Sequence, residues 1–188
     1  MALGATVYNF EIDLSDSDRD VYDSLSLRVA RHPSESDEYL VARILAYCLE
    51  YTEGIAFSKG GLSDTDEPPI AVRDLTGAML SWIDIGSPDA ERLHRAAKLA
   101  PRVAVYMHKE PAQFLRNLAG ERIHRVEALE LYALDRILIA DLSARLERRL
   151  AFSLSIHDRE LYVSIGDITL SGAVRRLSLE ATDDRRAK

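Results

Sequence analysis

The chain has one cysteine, Cys48, and that scarcity excludes an intramolecular disulfide and any zinc site built on cysteines. Set in the run "ILAYCLEY", Cys48 reads as a small packing hydrophobe rather than a reactive thiol. Long apolar runs are missing too: no stretch approaches the roughly 18 consecutive apolar residues of a membrane span. The opening "MALGATVYNFEIDLSD" has no basic segment leading into an apolar one, so no secretory signal and a cytoplasmic location are expected. Positive charge is in short supply as well. The formal net charge is −7 over 188 residues, with the acids crowded into the first hundred positions and the C-terminal half leaning basic. That balance weighs against tight, sequence-independent binding to nucleic acid, which draws on a basic surface. None of the 5 histidines pairs with another at metal-ligand spacing. No Gly-x-Ser-x-Gly nucleophile signature occurs, and "KGGL" is not a phosphate-binding loop.

What is present describes a globular protein. Apolar residues make up 47% and charged residues 29%, enough for one domain, residues 1–188, with a sizeable core and neither repeat nor linker. Residues 5–16 alternate, with Tyr8, Phe10, Ile12 and Leu14 on one face, and predict a half-buried strand. A second strand is expected over 21–33. Residues 34–54 then switch to helical spacing, with Leu40, Ile44, Tyr47 and Tyr51 as the stripe, Ser34 and Asp37 as a capping box and Gly54 as the stop. Short strands are expected at 55–58 and 70–73 around the polar loop "KGGLSDTDEPP", followed by a strand at 79–85. Next comes a helix capped by Ser87 with Pro88 at its first position, then a fully buried strand at 102–108. A helix near 110–118, a strand near 124–132, a helix near 135–145 and two or three closing strands complete the chain, with turns near 157–159 and 166–167. The expected class is α/β, one domain with a mixed sheet.

In the strand 79–85, "MLSWIDI", an acid sits at the C-terminal end: Asp84 shares a face with Trp82 and precedes Gly86. Burying a carboxylate there costs several kcal/mol unless it is paired, protonated or bound to a cation. One reading is structural, as a cap or a partner for an arginine such as Arg92. The other reading is chemical, because strand C-termini are where open α/β sheets build their sites. Other acids cluster at Glu35, Asp37 and Glu38, at the helix start, and at Asp64, Asp66 and Glu67, ahead of the middle strand. Carboxylates converging from a helix, a loop and a strand tip would make an oxygen cage for Mg²⁺, which could activate water against a phosphodiester. The candidate ligands are Asp84, Glu67, Asp66 and Glu38, with Glu35 beside them. The order helix–strand–strand–strand–helix–strand is similar to the core of the PD-(D/E)XK nuclease superfamily, with extra N- and C-terminal strands here.

Four further segments, "RHPSESDEYLVARILAY", "FSKGGLSDTDEPP", "DLTG" and "LSWIDIGSPDAERLHRAA", together resemble the YaeQ family over nearly the whole chain. The resemblance implies a bacterial protein with a variation on the PD-(D/E)XK fold, and implies fold more firmly than activity. It puts Asp84 at the (D/E) position of (D/E)xK, so that Gly86 stands where the lysine that positions the attacking water would be. Pro69 stands where relatives carry an acid after "DEP", leaving Asp66 or Glu67 as substitutes. A replacement cation would come from Arg92, Arg95 or Lys98 on the following helix, or from Lys59. On a helical wheel Arg92 lies about 80° from the centre of the apolar face, and Arg95 and Lys98 about 140° and 160° away, so Arg92 is best placed to reach inward. Three functions follow as expectations. The first is a non-catalytic regulatory factor that binds nucleic acid or a protein of the transcription or repair machinery. The second is a Mg²⁺-dependent phosphodiesterase using Asp84 with Glu35, Glu38, Asp66 and Glu67. The third is binding or processing of a small phosphorylated metabolite.

Overall fold

The computed structural model describes residues 4–58 and 66–179. Alternation at the N-terminus yields a long antiparallel hairpin of β1 (Thr6–Asp16) and β2 (Val21–Arg31), with Phe10, Ile12 and Leu14 turned into the core. Helix α1 (Asp37–Leu49) is capped by Ser36, whose hydroxyl accepts from the Tyr39 N–H. Ser34 instead bonds His32, so the cap falls two residues later than the capping-box pattern suggests. The helix ends at Leu49 rather than at Gly54, which turns with a φ of +82° into β3 (Ile55–Phe57). Strands β4 (Ile70–Arg73) and β5 (Met79–Ile85) follow, then α2 (Ala90–Leu99), β6 (Arg102–Met107) and α3 (Ala112–Leu118). Helix α2 is capped by Asp89, which accepts from the Arg92 N–H, so Ser87 and Pro88 precede the helix.

Within the stretch expected as a strand at 124–132, Val126–Ala128 form a single 3-10 turn entered through Arg125 at a φ of +50°; β7 (Glu130–Leu134) begins only after it. Val126 and Leu129 are partly buried against the core cluster that holds Trp82, Phe114 and Ile123, so their hydrophobicity serves local packing and not a ladder. Helix α4 (Arg136–Ser143), then β8 (Arg149–His157), β9 (Glu160–Ile165) and β10 (Ile168–Leu177) complete the fold.

All ten strands join one mixed sheet in the order β2-β1-β8-β9-β10-β7-β6-β5-β4-β3. Three pairs are parallel: β1 with β8, β5 with β6, and β6 with β7. Strand β10 is the join, pairing with β9 through Ile168–Ala173 and with β7 through Val174–Leu177. Gly172 lies at that join because a Cβ there would come within 2.6 Å of Asp135 on the approach to α4. Helices α1 and α4 pack over both halves of the sheet on one side, which is why Leu40 through Cys48 are all buried. Helices α2 and α3 cover the opposite face of β5, β6 and β7 alone. Strands covered on both faces read as continuous apolar runs, whereas β1, β8 and β9 keep one open face and alternate. No helix among the described residues is long and apolar enough to cross a membrane.

Candidate functional site

Strand β5 carries Asp84 to the C-terminal end of the parallel trio, where only 2% of its surface is exposed. The first turn of α2 brings Arg92 down onto it. The guanidinium Nε donates to Oδ1 and Oδ2 at 3.0 Å each, and Nη2 donates to Oδ1 at 2.9 Å. Two residues back on the same strand face, Trp82 Nε1 donates to Oδ2 at 2.7 Å. Arg92 also lies over the Trp82 ring, 5.2 Å from its centroid, and its Nη2 reaches the Glu67 carbonyl at 3.0 Å. Burial pushes the Asp84 carboxyl above the usual range, while the hydrogen bonds from Arg92 work against that rise. The inward reach expected of Arg92 is therefore what the helix delivers, and Lys98 faces solvent.

A second ion pair lies across the same cavity. Arg43, in the middle of α1, donates from Nη2 to Glu35 Oε2 and to the Ala30 carbonyl, each at 2.9 Å, and stacks over Phe57. Burial raises the Glu35 carboxyl, with Arg43 opposing. Glu35 Oε1 and Arg43 Nε are buried without a hydrogen-bond partner among the described residues. Tyr39, Arg43, Glu67, Asp84 and Arg92 line a cavity of about 260 Å³ together with Ser58.

The remaining candidates are dispersed. Glu67 is half-buried at the cavity wall, taking a 3.3 Å hydrogen bond from Ser58 and lying 3.8 Å from Arg73. Asp66 is exposed and pairs with Arg95, which also meets Glu91, so Arg95 turns away from Asp84. Glu38 is exposed in the first turn of α1. Lys59 and Asp64 lie outside the described residues. No group of three His, Cys, Asp or Glu among the described residues is placed to hold a metal ion. Among the described residues the donor set does not fit Mg²⁺: the Asp84 oxygens already receive four donor contacts, and Glu35 turns one oxygen to Arg43 and keeps the other buried, belonging to no group of three acids. Gly86 has a φ of +88°, and a Cβ built there would make ordinary contacts, 3.7 Å from His108 and 4.0 Å from Tyr39. Backbone conformation, not crowding, is what a lysine at that position would have to overcome.

Arg43, Tyr39 and His108 escaped the sequence reading. Arg43 was legible as a lone charge inside "YLVARILAY". His108 gave no such signal. It is buried at the end of β6 against the edge of Tyr39, with neither ring nitrogen bonded among the described residues, and burial holds its imidazole below the usual range.

The frame thus defined is a mixed α/β protein with a polar pocket at the strand tips. The family model described as YaeQ protein matches residues 1–173, and the chain belongs to the YaeQ family. It is 31% identical to the YaeQ protein of Escherichia coli strain K12 over 165 residues, 87% of this chain and 91% of that one. It is also 31% identical to the YaeQ protein of Salmonella typhi, over 97% of both chains. Two crystal structures superpose with a TM-score of 0.83. That of YaeQ from Pseudomonas syringae is 28% identical, covering 93% of this chain and 96% of its own. That of YaeQ from Xanthomonas axonopodis pv. citri is 32% identical, covering 92% and 97%.

Proposed function

We propose that this protein is a non-catalytic binding factor on a PD-(D/E)XK-like frame, with a cytoplasmic protein of the transcription or repair machinery as its partner. One observation carries the reading: Asp84, at the acid position of the nuclease-like motif, has its two oxygens closed off by Arg92 and Trp82. A carboxylate so engaged has little left to offer a hydrated divalent cation, which requires open oxygen ligands in octahedral array. Arginine in the lysine's stead cannot act as a base either. The element order α1-β3-β4-β5-α2-β6 supports the nuclease-like frame by analogy. A net charge of −7 favours a protein partner over a polyanion.

Thermal melting with Mg²⁺ or Mn²⁺ tests this directly. The expected result is no saturable, metal-dependent rise in Tm and no cleavage of a phosphodiester substrate. A saturable rise that disappears in Asp84→Asn would replace this reading with the Mg²⁺-dependent hydrolase, through mass-action linkage. Salt-sensitive association with an oligonucleotide would reassign the partner to nucleic acid.

A further inference from the structure

A second cavity, of about 330 Å³, lies at the opposite end of α1, between the turns of the β1–β2 and β8–β9 hairpins. Leu49, Ile156 and Val174 supply apolar wall, and three arginines, Arg19, Arg102 and Arg159, are part of the lining. Two of these are already engaged. Arg19 donates to Asp16 at 2.6 Å and to the Tyr51 and Cys48 carbonyls at the C-terminus of α1. Arg102 is held between Glu50, at 2.7 and 3.0 Å, and Glu130, at 2.6 and 3.0 Å. The carboxylates of the lining are engaged too. Asp16 holds Arg19, Glu50 also accepts from the Tyr106 hydroxyl, and Asp18 accepts the backbone N–H groups of Asp158 and Arg159 at 2.7 and 2.8 Å.

Arg159 differs. Its guanidinium makes no hydrogen bond among the described residues, and its backbone sits at a φ of +62°. With Asp158 at +50° it forms a two-residue hairpin turn of the kind that strongly prefers glycine at its second position. Aspartate tolerates this region, but arginine does so at a cost. A contrast lies in Arg125, also left-handed, whose side chain bonds the Ala97 and Ala100 carbonyls at the end of α2 and so has a structural use. The Arg159 side chain makes no such bonds among the described residues: its charge helps hold the neighbouring Asp18 carboxyl below the usual range, and its left-handed backbone places a guanidinium with open hydrogen-bonding capacity beside a cavity whose acids already accept other donors.

We propose that this cavity binds a small organic oxyanion, a carboxylate or a phosphate ester, with Arg159 as the anchoring cation and Leu49, Ile156 and Val174 against the ligand's apolar part. The site is separate from the Asp84 cavity and stands independently of the function proposed above.

Calorimetry and thermal melting of the full chain would use benzoate and phenyl phosphate as probes, with inorganic phosphate and benzyl alcohol as the bodiless and uncharged controls. The expected result is saturable binding of at least one probe, stronger than either control and weakened ten-fold or more in both Arg159→Ala and Arg159→Gly. Whichever probe binds more tightly assigns the carboxylate or the phosphate. Without ligand, Arg159→Gly should melt about 2–4 °C above Arg159→Ala, because glycine removes the left-handed strain. Absence of saturable binding by both probes, or undiminished binding in Arg159→Gly, overturns the site. Equal melting of the two variants overturns the claim that the arginine is held against its backbone preference.

Discussion

Both ends of α1 carry an arginine clamped by carboxylates, yet the two clusters behave differently. At the N-terminal end, the Asp84 side chain is 3% exposed and that of its partner Arg92 is 22% exposed. At the C-terminal end, Glu130 is 22% and Arg102 33% exposed, with Tyr132 donating to Glu130 at 2.9 Å. The chemistry is the same, a guanidinium fork on a carboxylate. Burial raises Asp84 despite its arginine. At Glu130 burial is again the largest single influence and pulls the same way, but the hydrogen bonds from Arg102 and Tyr132 and the charges of Arg102 and Arg176 together outweigh it, and the carboxyl falls below the usual range. Depth, not pairing, sets the sign. It follows that the Asp84 cluster is the one that reads as a closed lock, and the Arg102 cluster as a wet brace beside an open cavity.

The largest effect expected from this contrast is on stability. Asp84→Ala leaves Arg92 and the Trp82 N–H facing a partly buried gap, and should cost about 3 kcal/mol in urea unfolding. Glu130→Ala, with Glu50 still holding Arg102, should cost ~1 kcal/mol. Equal losses would remove the distinction.

A pH titration of stability sharpens it further. Glu130, depressed when folded, contributes stability above its unfolded value of about 4.3 and loses it as pH falls through the folded one. Glu130→Gln should therefore flatten the acid limb. Asp84, raised when folded, has the opposite sign: its contribution is full at low pH and lost as pH rises through the folded value. Asp84→Asn should leave the acid limb steeper than in the wild type. Matching changes in the two variants would show that burial does not separate the clusters.

The smallest effect belongs to the rim. Arg95 bridges Asp66 and Glu91 with 40% of its side chain exposed, so Arg95→Ala should change stability by no more than about 0.5 kcal/mol. A loss as large as that at Asp84 would draw Arg95 into the lock.

Much of the frame was readable in advance because local patterns and tertiary demands agree. Alternation in "YNFEIDL" matches the half-open face of β1, and the unbroken apolar run "VAVYM" matches burial on both faces of β6. Pattern misled where an apolar stretch served something other than a ladder, as at Val126 and Leu129, or where two hydroxyl residues competed for one cap, as Ser34 and Ser36 did. Within the site, the wheel singled out Arg92, since α2 is short and amphipathic and its inward face is unambiguous. It was silent on Arg43, because α1 is covered on nearly every side and no single face of it is polar.

The amino-acid order by itself determined the elements, their sequence along the chain and the presence of a carboxylate at the end of β5. These follow from periodicity, capping and chain punctuation, which act between near neighbours. Only the tertiary structure decided that Asp84 is closed by Arg92 and Trp82, that Glu35 goes to Arg43, and that the Arg159 guanidinium makes no hydrogen bond among the described residues. Which oppositely charged groups meet depends on distances between segments far apart in sequence, and on how much water the packing leaves beside them.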